Sequence, residues 1–217
     1  MNVLIYGSGL LGTQAYHLIS QIPDINISGF VDDTKEIGES IFPDQKVIDN
    51  METLEKKIAK EPHFTRNYGL ILAIGSDNLE ARWKVFLWGI EKGFRFPNLV
   101  HPAACIDPSA TFGKGNIILA NATVDYEVSI GDANYLDIGS LISHNNKIGN
   151  NNFFTAGCAA AGHVKFGSHN FVGMHSTFTD YVEVGNENYF SAKNLVNRNV
   201  QDKRKILTFQ DQKSLPI

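Results

Sequence analysis

The sequence is poor in cysteine and proline and carries no surplus of positive charge. Its two cysteines, Cys105 and Cys158, stand far apart in apolar or small-residue surroundings, without CxxC spacing or neighbouring metal ligands. That argues against a disulfide framework and a zinc site of the usual spacing, and two buried free thiols are expected. Seven prolines, 19% charged residues and a formal net charge of -4 leave no electrostatic footprint for nucleic acid or an anionic membrane. No run of about 18 apolar residues is present, and the start, MNVLIYG, lacks a basic segment followed by a long apolar stretch. Membrane insertion is therefore not expected, and a cytoplasmic location is. What is present is 43% apolar residues in a chain of 217, enough to build one large domain or two small ones.

The first hundred residues alternate strand and helix. NVLIY (2–6) runs into Gly7-Ser8-Gly9-Leu10-Leu11-Gly12, after which Leu11, Ala15, Leu18 and Ile19 keep helical spacing. A second apolar run, Ile25 to Val31, ends in Asp32-Asp33, roughly 20 residues beyond the turn, as a dinucleotide fingerprint asks. Glycines there let phosphate approach backbone N–H groups at a helix N-terminus, and an acid after the second strand can accept a hydroxyl hydrogen bond. The competing account is a tight turn that binds nothing. Further on, METLEKKIAKE (51–61) reads as a helix and GLILAIGS (69–76) as a buried strand ending near Gly75. Ser76 or Asp77 could cap a helix with Leu79, Trp83, Phe86, Leu87 and Ile90 on one face. This predicts a Rossmann-like α/β unit with a parallel sheet over residues 1–100. The unit ends before two full βαβαβ halves can form, so a mononucleotide-sized site is expected rather than one for NAD.

From Ile106 to Phe190 every sixth residue is apolar, fifteen positions in all. Chance would give such a run on the order of once in 10⁵ tries. A longer period lies on top. Gly113, Gly131, Gly149, Gly167 and Gly185 recur every eighteen residues, as do Asn116, Asn134, Asn152, Asn170 and Asn188. Six residues per face and eighteen per coil describe a three-sided prism, the hexapeptide parallel β-helix, expected in its left-handed form over 101–217. The glycines are expected at turns of unusual φ, and the asparagines in a ladder of side-chain hydrogen bonds. The α/β unit would cap one end, and the segment NLVNRNVQDKRKILTF (194–209) the other.

Counting by eighteen identifies neighbours. Adding 18 to His144 gives Gly162, so a histidine on an outward corner lies under a residue with no side chain, whose N–H is expected to be open to a ligand. A base beside an amide donor is the minimum for acyl transfer. The bland account is a solvated surface histidine.

A glycine-turn α/β unit with GFVDD and AIGSDN, followed by a hexapeptide helix carrying SLISHNNKIG and AAAGHVKFG, resembles the bacterial sugar acyltransferases. These include sialic-acid O-acetyltransferases and N-acetyltransferases acting on UDP-4-amino sugars. The resemblance reaches to about residue 193. It implies an acetyl-CoA-dependent N-acetyltransferase of surface glycan biosynthesis, a homotrimer, working on the amino group of a nucleotide-linked 4-amino-deoxy sugar. His144 would be the general base with Asn145 beside it, Ala161, Gly162 and Lys165 would face CoA, and Gly7, Ser8, Gly9, Gly12, Asp32, Asp33 and Gly75 would hold the nucleotide sugar. A sugar O-acetyltransferase and a non-enzymatic nucleotide-sugar-binding protein are the alternatives. Two departures stand out. The residue after the histidine is Asn145 where relatives carry an acid, and the GNPAK-like ending is replaced by a basic run around Lys203-Arg204-Lys205.

Lys147 and Lys165, eighteen apart, should stack, as a solvated basic edge or facing CoA phosphates. His163, His169 and His175 suggest zinc, but steps of six put them on three different faces, so no metal is expected.

Overall fold

The computed structural model describes residues 1–61 and 63–208. Its first part is a five-stranded sheet built from β1 (Asn2–Tyr6), β2 (Asn26–Val31), β3 (Ser40–Phe42), β4 (Gln45–Asp49) and β5 (Tyr68–Leu72) in the order β3-β4-β2-β1-β5. All pairs are parallel except β3 with β4. Helices α1 (Leu10–Ile19), α2 (Met51–Lys60), α3 (Phe64–Asn67) and α4 (Leu79–Lys92) complete the unit. The central strands are apolar on both faces, with Val3, Ile5, Phe30, Val31 and Leu70 all at 0% exposure, as parallel strands covered on two sides require. Asn50 opens α2 through a reciprocal bond with Thr53.

Two local expectations are corrected here. The cap of α4 is Asn78, whose side chain accepts from Ala81 N at 2.9 Å, because Ser76 and Asp77 lie within a short 3-10 turn. The buried stripe of α4 is Arg82, Val85, Phe86 and Gly89, while Leu87 and Ile90 are exposed. An arginine counted as a surface residue rotates the inferred face, and here that arginine is fully buried.

The second part is the left-handed β-helix. Its two-residue strands form parallel sheets of six, five and seven strands, paired at a spacing of eighteen, as in Thr123 with Leu141 and Lys147 with Lys165. The six-residue count extends past the recognised run in both directions, to Val100 and Val196. The first strand of the prism is accordingly Leu99–Val100. Every anchor packs into one interior cluster. The asparagine ladder is present and fully buried. From Asn116 to Asn170 each side chain donates to the asparagine one coil earlier, as from Asn152 Nδ2 to Asn134 Oδ1 at 3.0 Å, and to a glycine carbonyl in the next coil; at Asn188 the backbone N makes the bond to Asn170 Oδ1 and Nδ2 has no partner. Asn98 starts it.

The eighteen-spaced glycines serve a different purpose from the one expected. None has positive φ. The left-handed residues fall three after the anchors from Phe112 to Phe190, at Gly115, Asn121, Glu127, Ala133, Gly139, Asn145 and onward to Lys193. The glycines are needed because coils stack tightly at that corner. A Cβ on Gly149 would lie 2.5 Å from Gly167 O, and one on Gly167 would lie 2.7 Å from Gly185 O.

The α/β unit does not sit as a lid over the open end. It lies along one face, where the outward residues Leu99, Ile117, Tyr135 and Phe153 join the core of the sheet and α1. That aromatic column continues through Phe171, partly buried against the same core, to Tyr189, where the two residues line a cleft with Trp83 and Leu87 of α4. Arg82 of α4 reaches into the same junction. Its Nη1 donates to Ala133 O and, at 2.6 Å, to Asn151 Oδ1, while Nε and Nη2 have no partner. Burial brings its guanidinium down to about 10. At the far end Val200 and Ile206 close the interior, the last strand pairing sixteen residues back rather than eighteen. Of the expected closing segment, Phe209 lies outside the described residues. Cys158 is buried as expected, its thiol pushed up to about 11 by burial. Cys105 is exposed, because the residue before an anchor points outward.

Candidate active site

Two clefts contain residues expected at the site, one between the two parts and one along a corner of the β-helix. In the α/β sheet, the strand order reverses at β1, with β2 on one side and β5 on the other. Loops leaving the carboxyl ends of such strands diverge and leave a crevice. A cleft of about 720 Å³ opens there, walled by Gly9, Thr13, Gln14, Gly75 and Asp77 on one side and by Tyr135, Asp137 and Phe153 of the β-helix on the other. Helix α1 begins at Gly9 with no side-chain cap and no acid in its first turn, so its amide groups and positive dipole end are available to an anion.

The three turn glycines have separate reasons. Gly7 has φ +103° and would drive a Cβ to 2.6 Å from Ala73 O, and Gly12 packs against Gly7 and Phe30. Gly9 has no atom within 4 Å of its missing Cβ and faces the cleft. Both acids are engaged within the protein, Asp32 at the turn and Asp33 at the start of α2. Asp32 accepts from Ser8 N and Oγ at 2.8 and 2.6 Å, and from Thr34 N and Oγ1 at 2.8 and 2.7 Å. Burial opposes its ionisation, but these four bonds outweigh it and keep the carboxyl at about 2. Asp33 accepts from Tyr6 Oη at 2.5 Å and from Met51 N at 2.7 Å. Of the seven residues expected to hold a nucleotide sugar, only Gly9 and Gly75 line the cleft. Tyr135 and Asp137, which sequence did not single out, do so from the other side. No local motif marks them, since the contact depends on how the two parts dock.

The second cleft follows a corner of the prism, where His144 is half-buried. Its ring is stacked on Tyr126 one coil earlier, with centroids 5.1 Å apart and 7° between planes. On the other side it lies against Gly162. A Cβ there would be 2.5 Å from His144 Cε1 and 2.8 Å from Nε2, so only glycine fits. His144 Nδ1 is 3.0 Å from Asn145 Oδ1, and Asn145 Nδ2 donates to Glu127 Oε2. The carboxylate missing from position 145 is therefore one coil away. Subtracting eighteen from 145 would have found it.

One expectation at this corner is overturned. The N–H of Gly162 is not open, since it donates to Asp180 Oδ1 at 3.0 Å, and Asp180 is the next residue in the same column of eighteen. The N–H of Ala161 is also taken, by Phe178 O at 2.9 Å. Lys147 and Lys165 stack as expected, but Lys165 pairs with Glu183 at 2.6 Å. Together with Glu127, Asn145, His163 and Tyr181 they line an open cleft of about 540 Å³ beside His144.

His163, His169 and His175 occupy successive left-handed corners. His163 stands edge-on to His144 and stacks on Tyr181. His169 meets Trp83 edge-on and lies 2.9 Å from Asn151 Nδ2, inside the junction between the two parts. Burial lowers its pKa. Among the described residues no group of three or more His, Cys, Asp or Glu could hold a metal, and no helix is long and apolar enough to cross a membrane.

The same arrangement of an α/β unit and a left-handed β-helix is found in solved acetyltransferases. A solved histidine-to-alanine mutant of GDP-perosamine N-acetyltransferase from Caulobacter crescentus, in complex with CoA and GDP-perosamine, superposes with a TM-score of 0.83 at 21% identity. The match covers 96% of this chain and 94% of that one. The acetyltransferase domain of PglB from Neisseria gonorrhoeae, in complex with acetyl coenzyme A, gives 0.82 at 19% identity over 95% and 96%. WeeI from Acinetobacter baumannii gives 0.67 at 13% over 96% and 97%. At these identities the likeness establishes the shared fold across both parts. No protein-family model and no curated protein matches the sequence.

Proposed function

We propose that the protein is an acetyl-CoA-dependent N-acetyltransferase acting on the amino group of a nucleotide-linked 4-amino-deoxy sugar, in the cytoplasmic steps of surface glycan biosynthesis. The observation that carries this is the setting of His144. Its Nδ1 is engaged by Asn145 and its Nε2 lies over the bare backbone of Gly162, on a corner beside a cleft. An imidazole held through one nitrogen, with the other unprotonated, is a general base for an amine attacking a thioester. Residues 1–100 would bind the nucleotide sugar, with phosphate at the uncapped start of α1 near Gly9 and the sugar toward Gly75, Tyr135 and Asp137. Gly7, Ser8, Gly12, Asp32 and Asp33 would support that surface by shaping the turn. Residues 101–217 would bind acetyl-CoA along the His144 corner, by way of Ala161, Gly162 and Lys165. Solved relatives carrying GDP-perosamine with CoA, or acetyl coenzyme A, support this assignment.

The working enzyme would be a homotrimer. The sugar cleft opens beside the corner at Asp137, whereas His144 stands at the next corner, with a whole face between them. That face carries no charge on its outside, where Thr123 and Thr177 stand among Cys105, Leu141, Ala159 and Leu195. Leu141 and Leu195 are 44% and 68% exposed, and Ile138 and Met174 at its leading corner are about half exposed. A neighbouring copy covering it would bury this surface and bring one chain's sugar cleft toward another's histidine. The test is thiol release from acetyl-CoA in the presence of GDP-perosamine or of UDP- or dTDP-linked 4-amino sugars, with light scattering for the mass. Turnover with at least one of them, and a mass three times the 24.0 kDa of the chain, are expected. Micromolar NAD(H) binding with no thiol release and no nucleoside diphosphate binding would overturn it.

A further inference from the structure

We infer that Glu127 is a positioning residue for the base, acting through Asn145 from the preceding coil; this rests on the reading of His144 given above. Asn145 presents one acceptor and one donor, and a rotated amide would exchange them. Glu127, when ionised, accepts only, so it requires the Asn145 amino group on its side. The carbonyl is thereby turned toward His144 Nδ1, at 3.0 Å, and an acceptor there requires the ring proton to be on Nδ1. Nε2, which lies against Gly162, is left with its lone pair. In this way one exposed carboxylate selects the amide orientation, and the amide selects the tautomer that can take a proton from the attacking amine. Asn145 also has φ +57°, which asparagine tolerates, so the backbone alone would account for an asparagine there. The backbone does not account for the acid beneath it. His144 further stacks on Tyr126, the residue before Glu127, so a single corner turn supplies both the ring platform and the orienting charge.

The order of charges along this chain can be reversed without changing its shape, which provides the test. Glu127→Gln allows Asn145 to rotate, since glutamine both donates and accepts, and kcat should fall roughly ten- to a hundredfold with both KM values and the melting temperature unchanged. Asn145→Asp alone sets two carboxylates against each other and should also lower kcat. The double variant Glu127→Gln/Asn145→Asp lets glutamine donate to the new aspartate, which then accepts from Nδ1, and it should recover most of the lost turnover. Long-range ¹H–¹⁵N spectra of the ring should show the Nδ1–H form in the wild-type protein and in the double variant, and a mixture in Glu127→Gln. Wild-type turnover in Glu127→Gln, or a double variant no better than either single one, would overturn the inference. If the wild-type protein transfers no acetyl group while the spectra show the Nδ1–H form lost on Glu127→Gln, the orienting chain stands and the assigned reaction falls.

Discussion

The two halves of the molecule make their neighbours in different ways. In the β-helix, contact is a fixed sequence interval. Phe154 faces Leu136 and Val172, and Asn145 lies over Glu127, because each coil consumes eighteen residues. In the α/β unit, contact depends on how helices and loops pack, and no interval predicts that Arg82 would meet Ala133 and Asn151. A periodic fold thus lets side-chain chemistry be placed by arithmetic, whereas an α/β fold gives its architecture and withholds the job of each residue. The glycines show this within one motif. GSGLLG was legible as a turn, yet its first glycine is fixed by backbone φ and its second faces open space at the cleft.

The largest expected effect separates those two. Gly7→Ala would place a methyl group against Ala73 O at a φ that alanine disfavours, and should destabilise the protein by about 3 kcal/mol or more, read as a fall in denaturation midpoint. Gly9→Val, in open space, should leave that midpoint nearly unchanged. It should raise KM for the nucleotide sugar roughly tenfold by blocking phosphate, with KM for acetyl-CoA unaltered. Equal loss of stability in both variants would remove the distinction.

Next in size is the contrast between two histidines of the β-helix. His144→Ala should lower kcat by roughly 10²-fold or more while preserving CoA affinity. His169→Ala should leave kcat intact and cost about 1 kcal/mol. It removes an edge contact to Trp83 and a partner of Asn151 in the junction. Loss of turnover without loss of stability in His169→Ala would place it in the chemistry instead.

The repeat, its sense of inside and outside, the asparagine ladder and the βα turn were all legible, because each is a local or periodic pattern of apolar and small residues. The side-on docking of the α/β unit was not, since the outward aromatics Tyr135, Phe153 and Phe171 carry no sign of which are to be covered. Asp32 and Asp33 were legible as acids at a strand end, but their partners Ser8, Thr34, Tyr6 and Met51 come from three separate segments. Even in the periodic half, misassignments arose where an interval was not followed far enough. Gly162 was placed over His144 correctly, but the same count taken one step further reaches Asp180, which holds the amide supposed to be free.

That last step gives the smallest expected effect. If the Gly162 N–H stabilises the thioester oxyanion, Asp180 must release it when acetyl-CoA binds, and its exposed position makes that exchange inexpensive. Asp180→Ala removes the competing acceptor and leaves the amide to solvent. Its kcat should stay within about twofold of wild type, or rise, because an exposed hydrogen bond to a charged group contributes little once water can replace it. An amide bound to Asp180 throughout the cycle predicts a different result. There the aspartate would be orienting the glycine that packs on His144, and Asp180→Ala would lower kcat alongside Glu127→Gln. Measuring both variants at saturating acetyl-CoA separates a column of eighteen that ends at Gly162 from one that runs on through Asp180.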